Sequence, residues 1–356
     1  MSDNMTSTIK IEKAANSKIN KVDFNNLAFG HVFTDHMFEC DFINGEWVNP
    51  QVVPYQPLTL DPSAKVFHYG QAVFEGMKAY RDDEDKIWLF RPEDNLNRIN
   101  ISSKRLAIPE FPKDIFFEGL TQLLKLDEAW IKKGYGNSLY IRPVVFATES
   151  GVSASPSNRY KFLIICSPAQ SYYGGEVRVK IENHYSRSAD GGFGYAKAAG
   201  NYAGQFYPTK LAQDEGYQQV IWTDASTHKY LEEAGTMNVF FRINDTLYTA
   251  PTGERILDGI TRKSIIAMAE ELSIPVDVRP VRVEEVIEAA NNGTLKEIFG
   301  AGTAAVINPI VGFGYKDQKW ELPKLENPYS STIKKAITDI QYNKAKDPYG
   351  WRYEVK

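Results

Sequence analysis

A single lysine, Lys197, stands in the run Gly191-Gly192-Phe193-Gly194-Tyr195-Ala196-Lys197-Ala198-Ala199-Gly200-Asn201-Tyr202-Ala203-Gly204, with a tyrosine five positions after it. Small neighbours let a bulky planar ligand lie close to the backbone, because no side chain stands in its way. A lysine in such surroundings sheds part of its hydration, which favours the neutral amine and makes it a nucleophile. The chemistry that requires such a lysine is Schiff-base formation with a carbonyl, most commonly the aldehyde of pyridoxal phosphate (PLP). On this stretch alone, a glycine-rich loop carrying a solvated lysine is the better reading. It is not a dinucleotide fingerprint, whose third glycine would fall on Lys197.

PLP asks a protein for an imine lysine, an anion near the pyridine nitrogen, a phosphate cradle and a group fixing the ring. Tyr230-Leu231-Glu232-Glu233-Ala234-Gly235-Thr236-Met237-Asn238 offers the anion just before an expected strand, although on this stretch alone a solvated turn carrying two acids is the better reading. In Leu257-Asp258-Gly259-Ile260-Thr261-Arg262 a glycine precedes a helix start, where backbone N–H groups and the helix dipole favour an anion. Phe299-Gly300-Ala301-Gly302-Thr303-Ala304-Ala305 gives small residues and a hydroxyl at a strand end, and Arg98 offers a fixed positive charge. Each segment alone also reads as a common turn or cap. The five histidines lack ligand spacing, and His31 and His36 are expected to be structural.

The elements that must position these groups belong to an ordinary globular chain. Its 356 residues suit two domains, with 43% hydrophobic and 24% charged residues. A net charge of −4 and a pI near 5.9 give no basic field for nucleic acid. The two cysteines, Cys40 and Cys166, form no disulfide framework or zinc pattern, so a cytoplasmic location is expected. No apolar run approaches membrane-spanning length. The polar N-terminus lacks the pattern of a secretory signal and reads as a leader.

Ile87 to Phe90 reads as a strand, and Arg91-Pro92-Glu93-Asp94 then opens a helix, since proline and acids suit a first turn. Phe116, Leu120, Leu123, Leu124 and Ile131 recur at helical spacing and predict an amphipathic helix over 113–133. Leu139 to Phe146 and Tyr160 to Cys166 read as strands, and Val177, Val179 and Ile181 alternate as a half-buried one. The expected layout is a leader (1–28), a small N-terminal α/β domain (29–168), a connection (169–175) and a larger C-terminal α/β domain (176–356).

Together these segments resemble the branched-chain amino acid aminotransferases, in the fold type IV class of PLP enzymes. The likeness runs from about Phe29 to about Pro309. In chain order it includes Phe-Glu-Gly-Met-Lys-Ala (74–79), Arg-Pro-Glu-x-Asn-Leu-x-Arg (91–98), Tyr-Ile-Arg-Pro (140–143) and Lys-x-x-Gly-Asn-Tyr (197–202). Glu-x-Gly-Thr-Met-Asn (233–238), Gly-Ile-Thr-Arg (259–262) and Gly-x-Gly-Thr-Ala (300–304) follow. Any one is weak, but seven in the family's order are specific.

The resemblance implies a mixed α/β (α+β) fold of two α/β domains with PLP at their interface, in a homodimer. Lys197 would form the internal aldimine and move the proton between Cα and the cofactor carbon. Tyr202 would bond the ring's phenolic oxygen and Glu233 its pyridine N–H. Arg98, Thr236, Thr303 and the backbone of Ile260 and Thr261 would bind the phosphate. Backbone groups of Thr303 and Ala304 would take the substrate α-carboxylate. Phe29, Tyr69, Phe74, Tyr140 and one of Tyr172 or Tyr173 would wall an apolar pocket, with Arg142 meeting the distal carboxylate of glutamate. The implied reaction passes the amino group of leucine, isoleucine or valine to 2-oxoglutarate by a ping-pong cycle. A D-amino acid aminotransferase or aminodeoxychorismate lyase of the same fold is the sibling reading, and a non-catalytic phosphate-binding protein the remote one. Animal relatives carry a Cys-x-x-Cys pair where this chain has Ala305 and Asn308, so no thiol regulation is expected there.

Overall fold

The computed structural model describes residues 9–170 and 176–356. In chain order the elements are β1 (Lys10–Ile11), β2 (His36–Ile43), β3 (Glu46–Pro54), α1 (Lys65–Tyr69), β4 (Ala72–Phe74), β5 (Met77–Arg81), β6 (Ile87–Phe90), α2 (Pro92–Arg105), α3 (Lys113–Leu126), β7 (Ser138–Ala147) and β8 (Tyr160–Ala169). Then come β9 (Val177–Ile181), α4 (Ala199–Ala203), α5 (Phe206–Asp214), β10 (Gln219–Thr223), β11 (Tyr230–Ala234), β12 (Asn238–Ile243), β13 (Thr246–Thr249), α6 (Ile260–Met268), β14 (Val276–Val278), β15 (Val281–Arg282) and α7 (Val283–Asn291). The chain closes with β16 (Leu295–Gly302), β17 (Val306–Tyr315), β18 (Gln318–Glu321), α8 (Tyr329–Gln341) and β19 (Arg352–Glu354). Among the described residues, two compact units form: 9–170 with 196–199 and 341–356, and 176–195 with 200–340.

The first unit holds a mostly antiparallel sheet in the order β1-β3-β2-β8-β7-β5-β6-β19, with β4 also paired to β7. Asn44 (φ 56°) and Gly45 (φ 90°) turn β2 into β3, the two left-handed residues that a tight hairpin between right-twisted strands requires. α3 buries Phe116, Leu120, Leu123 and Leu124 on its inner face. Gly119 lies so close to the Phe38 ring that a Cβ there would overlap it. The helix ends at Leu126, short of the 133 expected, because Asp127 is taken by His36. That carboxylate accepts from the His36 backbone N–H (3.1 Å) and lies 2.7 Å from its Nδ1. Ile131 is buried beyond the end of the helix, so its helical spacing from Leu124 does not place it on the helix face.

Three boundaries differ from the expected layout. β8 continues through Pro168 to Ala169, which pairs with Ser138, so the connection starts later. The leader is not separate, since β1 pairs in parallel with β3. The C-terminal tail belongs to the first unit: β19 pairs with β6, Trp351 C=O accepts from Arg91 N–H at 2.7 Å, and Tyr349 stacks on Trp351. Residues of the tail thus form an edge strand, which covers the open side of β6.

The second unit is a mixed sheet in the order β14-β13-β12-β16-β17-β9-β10-β11-β15, with β18 on β17. Val177, Val179 and Ile181 are buried while Arg178 and Lys180 are half-exposed, the alternation the sequence predicts. α7 packs Val283, Val286 and Ala289 against this core.

Both cysteines are buried thiols. Burial, with the Asp41 charge adding to it, pushes Cys40 up to about 12, and burial raises Cys166 well above its usual range. Since the thiolate is the reactive form, folded protein at pH 8 should release no colour with an aromatic disulfide reagent, and unfolded protein two equivalents. A fast-reacting thiol in the native protein would contradict this burial.

Candidate active site

In the first unit, β4 and β5 both pair with β7, and Glu75-Gly76 fills the step between them. α2 begins at Pro92 with Glu93 and Asp94 in its first turn, as the sequence predicts. Its buried face is polar as well as apolar: Asn95, Arg98 and Ser102 are buried at i, i+3 and i+7. Arg98 grips Glu75 with both ends of one guanidinium edge, Nε to Oε1 at 2.6 Å and Nη2 to Oε2 at 2.9 Å. Asn95 Nδ2 donates to the same Oε2 at 2.7 Å. Burial alone would push the Glu75 carboxyl up, but the Arg98 charge and hydrogen bonds, with Lys197 and Asn95 adding, hold it below the usual carboxylate range.

Ser102, one turn after Arg98, accepts from the Lys197 backbone N–H at 2.9 Å. Phe74 N–H donates to the Lys197 carbonyl at 3.0 Å, and Ala198 bridges to Val73. Lys197 is therefore fixed through its backbone on both sides, and its Nζ lies 4.8 Å from the centre of the Phe74 ring. The Arg142 guanidinium covers the same ring at 4.6 Å and the Tyr140 ring at 5.3 Å, with Nη2 donating to the Tyr140 hydroxyl at 2.9 Å. Phe29 meets Tyr140 edge-on at 4.9 Å. Gly76 is required here, because a Cβ would overlap the Tyr140 hydroxyl. Among the described residues no carboxylate pairs with Arg142, and its buried Nε has no hydrogen-bond partner. That leaves a cation seated on two aromatic faces, ready for an anionic ligand.

Four of the expected pocket residues, Phe29, Phe74, Tyr140 and Arg142, thus form one linked cluster, which meets Lys197 through the Phe74 ring. Tyr69 does not join them: it lies exposed at the end of α1, and its hydroxyl donates to the Val152 carbonyl. Tyr172 and Tyr173 lie outside the described residues.

In the second unit Glu233 stands ahead of the expected strand, which is β12, and is itself inside β11; both it and Glu232 are buried. Alternation along the strand sends the two acids to different partners. Glu232 meets Arg255 Nε at 2.6 Å, and burial, offset by the Arg255 charge, leaves it above the usual carboxylate range. Glu233 Oε1 pairs with Arg187 at 2.8 Å and accepts from Leu257 N–H at 3.1 Å. Arg187 also donates to the carbonyls of Gly194 (3.1 Å) and Arg255 (3.0 Å), so one buried cation ties the glycine loop to the β11 acid. Asn238 donates to Leu257 C=O at 2.9 Å and lies 3.4 Å from Glu233 Oε2. Gly259 abuts Asn238 so closely that any side chain there would collide with it.

Gly259 caps α6, whose first residues Ile260 and Thr261 are buried; at any helix start the leading N–H groups have no acceptor inside the helix. Thr303 and Ala304 form the turn between β16 and β17, and Gly302 approaches the Thr236 carbonyl. Tyr202, on α4, is half-buried. Each unit by itself carries groups of the kinds PLP asks for: in the first an amine on an aromatic face and a buried arginine, in the second a buried carboxylate with fixed partners and a glycine-capped helix start. Among the described residues no cluster of three His, Cys, Asp or Glu side chains could hold a metal ion.

A sequence model of the class IV amino-transferase family matches residues 72–313. The branched-chain-amino-acid aminotransferase 2 of Bacillus subtilis is 43% identical over 98% of this chain and 97% of its own length. The branched-chain-amino-acid transaminase 1 of the same organism is also 43% identical, over 99% of this chain and 100% of its own. The chain belongs to the branched-chain aminotransferases of class IV. The solved structure of the Escherichia coli branched-chain amino acid aminotransferase shares 25% identity over 90% of this chain and 99% of that one, with a TM-score of 0.74.

Reading the sequence of this aminotransferase missed Glu75, Ser102, Arg187 and Asn238 as members of the two clusters. Glu75 and Asn238 lie inside quoted motifs, so their presence was visible and their partners were not. Ser102 had a signal, its helical spacing from Arg98. Arg187 stands in a loop with no motif, and nothing in the sequence pointed to it.

Proposed function

We propose that this aminotransferase exchanges the amino group of L-leucine, L-isoleucine or L-valine with 2-oxoglutarate, using PLP. The observation that carries the substrate reading is Arg142, a half-buried cation without a carboxylate partner, set among Phe29, Phe74 and Tyr140. One pocket must hold leucine and then glutamate. Aromatic walls take the aliphatic chain, and a cation at their edge takes the second carboxylate, whose burial without a partner would be costly.

PLP, when bound, supplies an electron sink for the bond broken at the substrate Cα. The Lys197 amine would hold the cofactor and act as the base for the proton at the substrate Cα. Glu233, oriented by Arg187, would hold the proton on the ring nitrogen, and Tyr202 would bond the phenolic oxygen. Arg98, Thr236, Thr303 and the N–H groups of Ile260 and Thr261 would bind the phosphate, while Thr303 and Ala304 would take the α-carboxylate. Both half-reactions use the same site in turn, which makes the cycle ping-pong.

The reading includes a homodimer in the cytosol. Phe67, Tyr69 and Val152 are exposed on the first unit, which suits an interface, and the two buried thiols suit a reducing compartment. No described helix is long and apolar enough to cross a membrane.

Assaying 2-oxoglutarate with L-leucine, D-alanine and an aminodeoxychorismate-type amine, with glutamate and keto-acid products measured by mass spectrometry, tests the substrate class. Turnover with L-leucine is expected; preference for either of the others would replace the reading with a sibling of the fold. Arg142→Met should raise the KM for 2-oxoglutarate about 10- to 100-fold, from the ~1.5–3 kcal/mol of a hydrogen bond to a charged group. The KM for leucine should change far less. Equal changes for both substrates would remove Arg142 from that role.

A further inference from the structure

Glu75 has no room for a substrate. It is wholly buried, and both of its oxygens are taken. Oε1 receives Arg98 Nε at 2.6 Å. Oε2 receives Arg98 Nη2 at 2.9 Å, Asn95 Nδ2 at 2.7 Å and the Gly76 N–H at 3.1 Å. Its own N–H is fastened to the Pro143 carbonyl of β7 at 2.8 Å, so the carboxylate sits on a strand-anchored backbone. A guanidinium gripped along its Nε–Nη2 edge turns its Nη1 edge away from that carboxylate, in one fixed plane.

We propose that Glu75 is a positioning residue: it aims the Arg98 guanidinium and so sets the affinity for the cofactor's phosphate. This rests on the assignment of Arg98 to the phosphate. A free arginine side chain samples many rotamers, and each bond to an anion must overcome that entropy. Glu75 holds the fork in place before the phosphate arrives. Its negative charge also lets Arg98 stay charged while buried, since the Glu75 carboxyl is held ionised by the same pair. Glutamine cannot substitute: its amide nitrogen would turn donors toward the arginine's donors.

Pyridoxal, which lacks the phosphate, separates aiming from simple packing. Apoprotein is titrated with PLP and with pyridoxal, using wild type, Glu75→Gln, Glu75→Asp, Arg98→Gln and the double variant Glu75→Gln/Arg98→Gln. Glu75→Gln and Glu75→Asp should each weaken PLP by about 10-fold, the worth of one charge-assisted hydrogen bond, and leave pyridoxal within about 2-fold. In the Arg98→Gln background the Glu75→Gln change should have no further effect on PLP, because a residue acting through Arg98 has nothing left to aim. Equal losses for PLP and pyridoxal, or PLP affinity unchanged or tighter, would overturn the proposal. If Arg98→Gln itself weakens both ligands equally, the phosphate assignment of Arg98 is what fails. Should Glu75→Gln not fold, Glu75→Asp, which keeps the charge and loses the two-point grip, decides alone.

Discussion

Lys197→Ala should stop transamination and leave the fold in place. The groups that fix this residue are backbone ones: its N–H donates to Ser102 Oγ, and its carbonyl accepts from Phe74 N–H. An alanine keeps both, and Ala196 and Ala198 stay in the core. What is lost is the amine that, on the proposed function, bonds the cofactor and moves the Cα proton. A positioned base alone is worth up to about 10⁴-fold, so the fall in kcat should be at least about that. Borohydride reduction of wild-type protein should place a pyridoxyl group on the peptide containing Lys197, and on no peptide of the variant. Activity within about 10-fold of wild type would assign the chemistry to another lysine, since the loss of a positioned base is larger than that.

Glu233→Gln should lose both activity and stability, for separable reasons. The ring nitrogen loses its anion, an electrostatic effect comparable to removing one preorganised group, about 10²–10³-fold in kcat. Arg187, buried with Glu233 in a 2.8 Å pair, then keeps its charge without a counter-ion. Breaking such a pair from one side costs about 3–5 kcal/mol. Adding Arg187→Met to Glu233→Gln should restore much of the thermal stability and none of the activity. A melting temperature that stays low in the double variant would mean the stability loss comes from the Leu257 and Asn238 contacts instead. Recovery of kcat in the double variant would remove Glu233 from the chemistry.

The parts of this fold governed by local rules were legible. Pro92 with Glu93 and Asp94 opens a helix wherever it occurs, and Val177, Val179 and Ile181 alternate because one strand face is buried. The α3 boundary was not legible, because it depends on Asp127 meeting His36, ninety-one positions away. The tail was illegible for the same reason: β19 exists only by pairing with β6. In the site, the residues named from the sequence, Lys197 and Glu233 among them, are those whose chemistry a motif suggests. Those missed, Glu75 and Arg187, have parts defined by a partner. Glu75 matters because of Arg98, and Arg187 because of Glu233, and sequence spacing carries neither pairing.

The most direct test of the central claim is a visible absorbance titration of PLP-loaded protein, first with L-leucine and then with 2-oxoglutarate. If the lysine-bound cofactor band fades with leucine and returns with the keto acid, both halves of the exchange occur at one site, as proposed. A band that ignores L-leucine would contradict the branched-chain reading, and reconstituted protein with no band at all would contradict the role of Lys197.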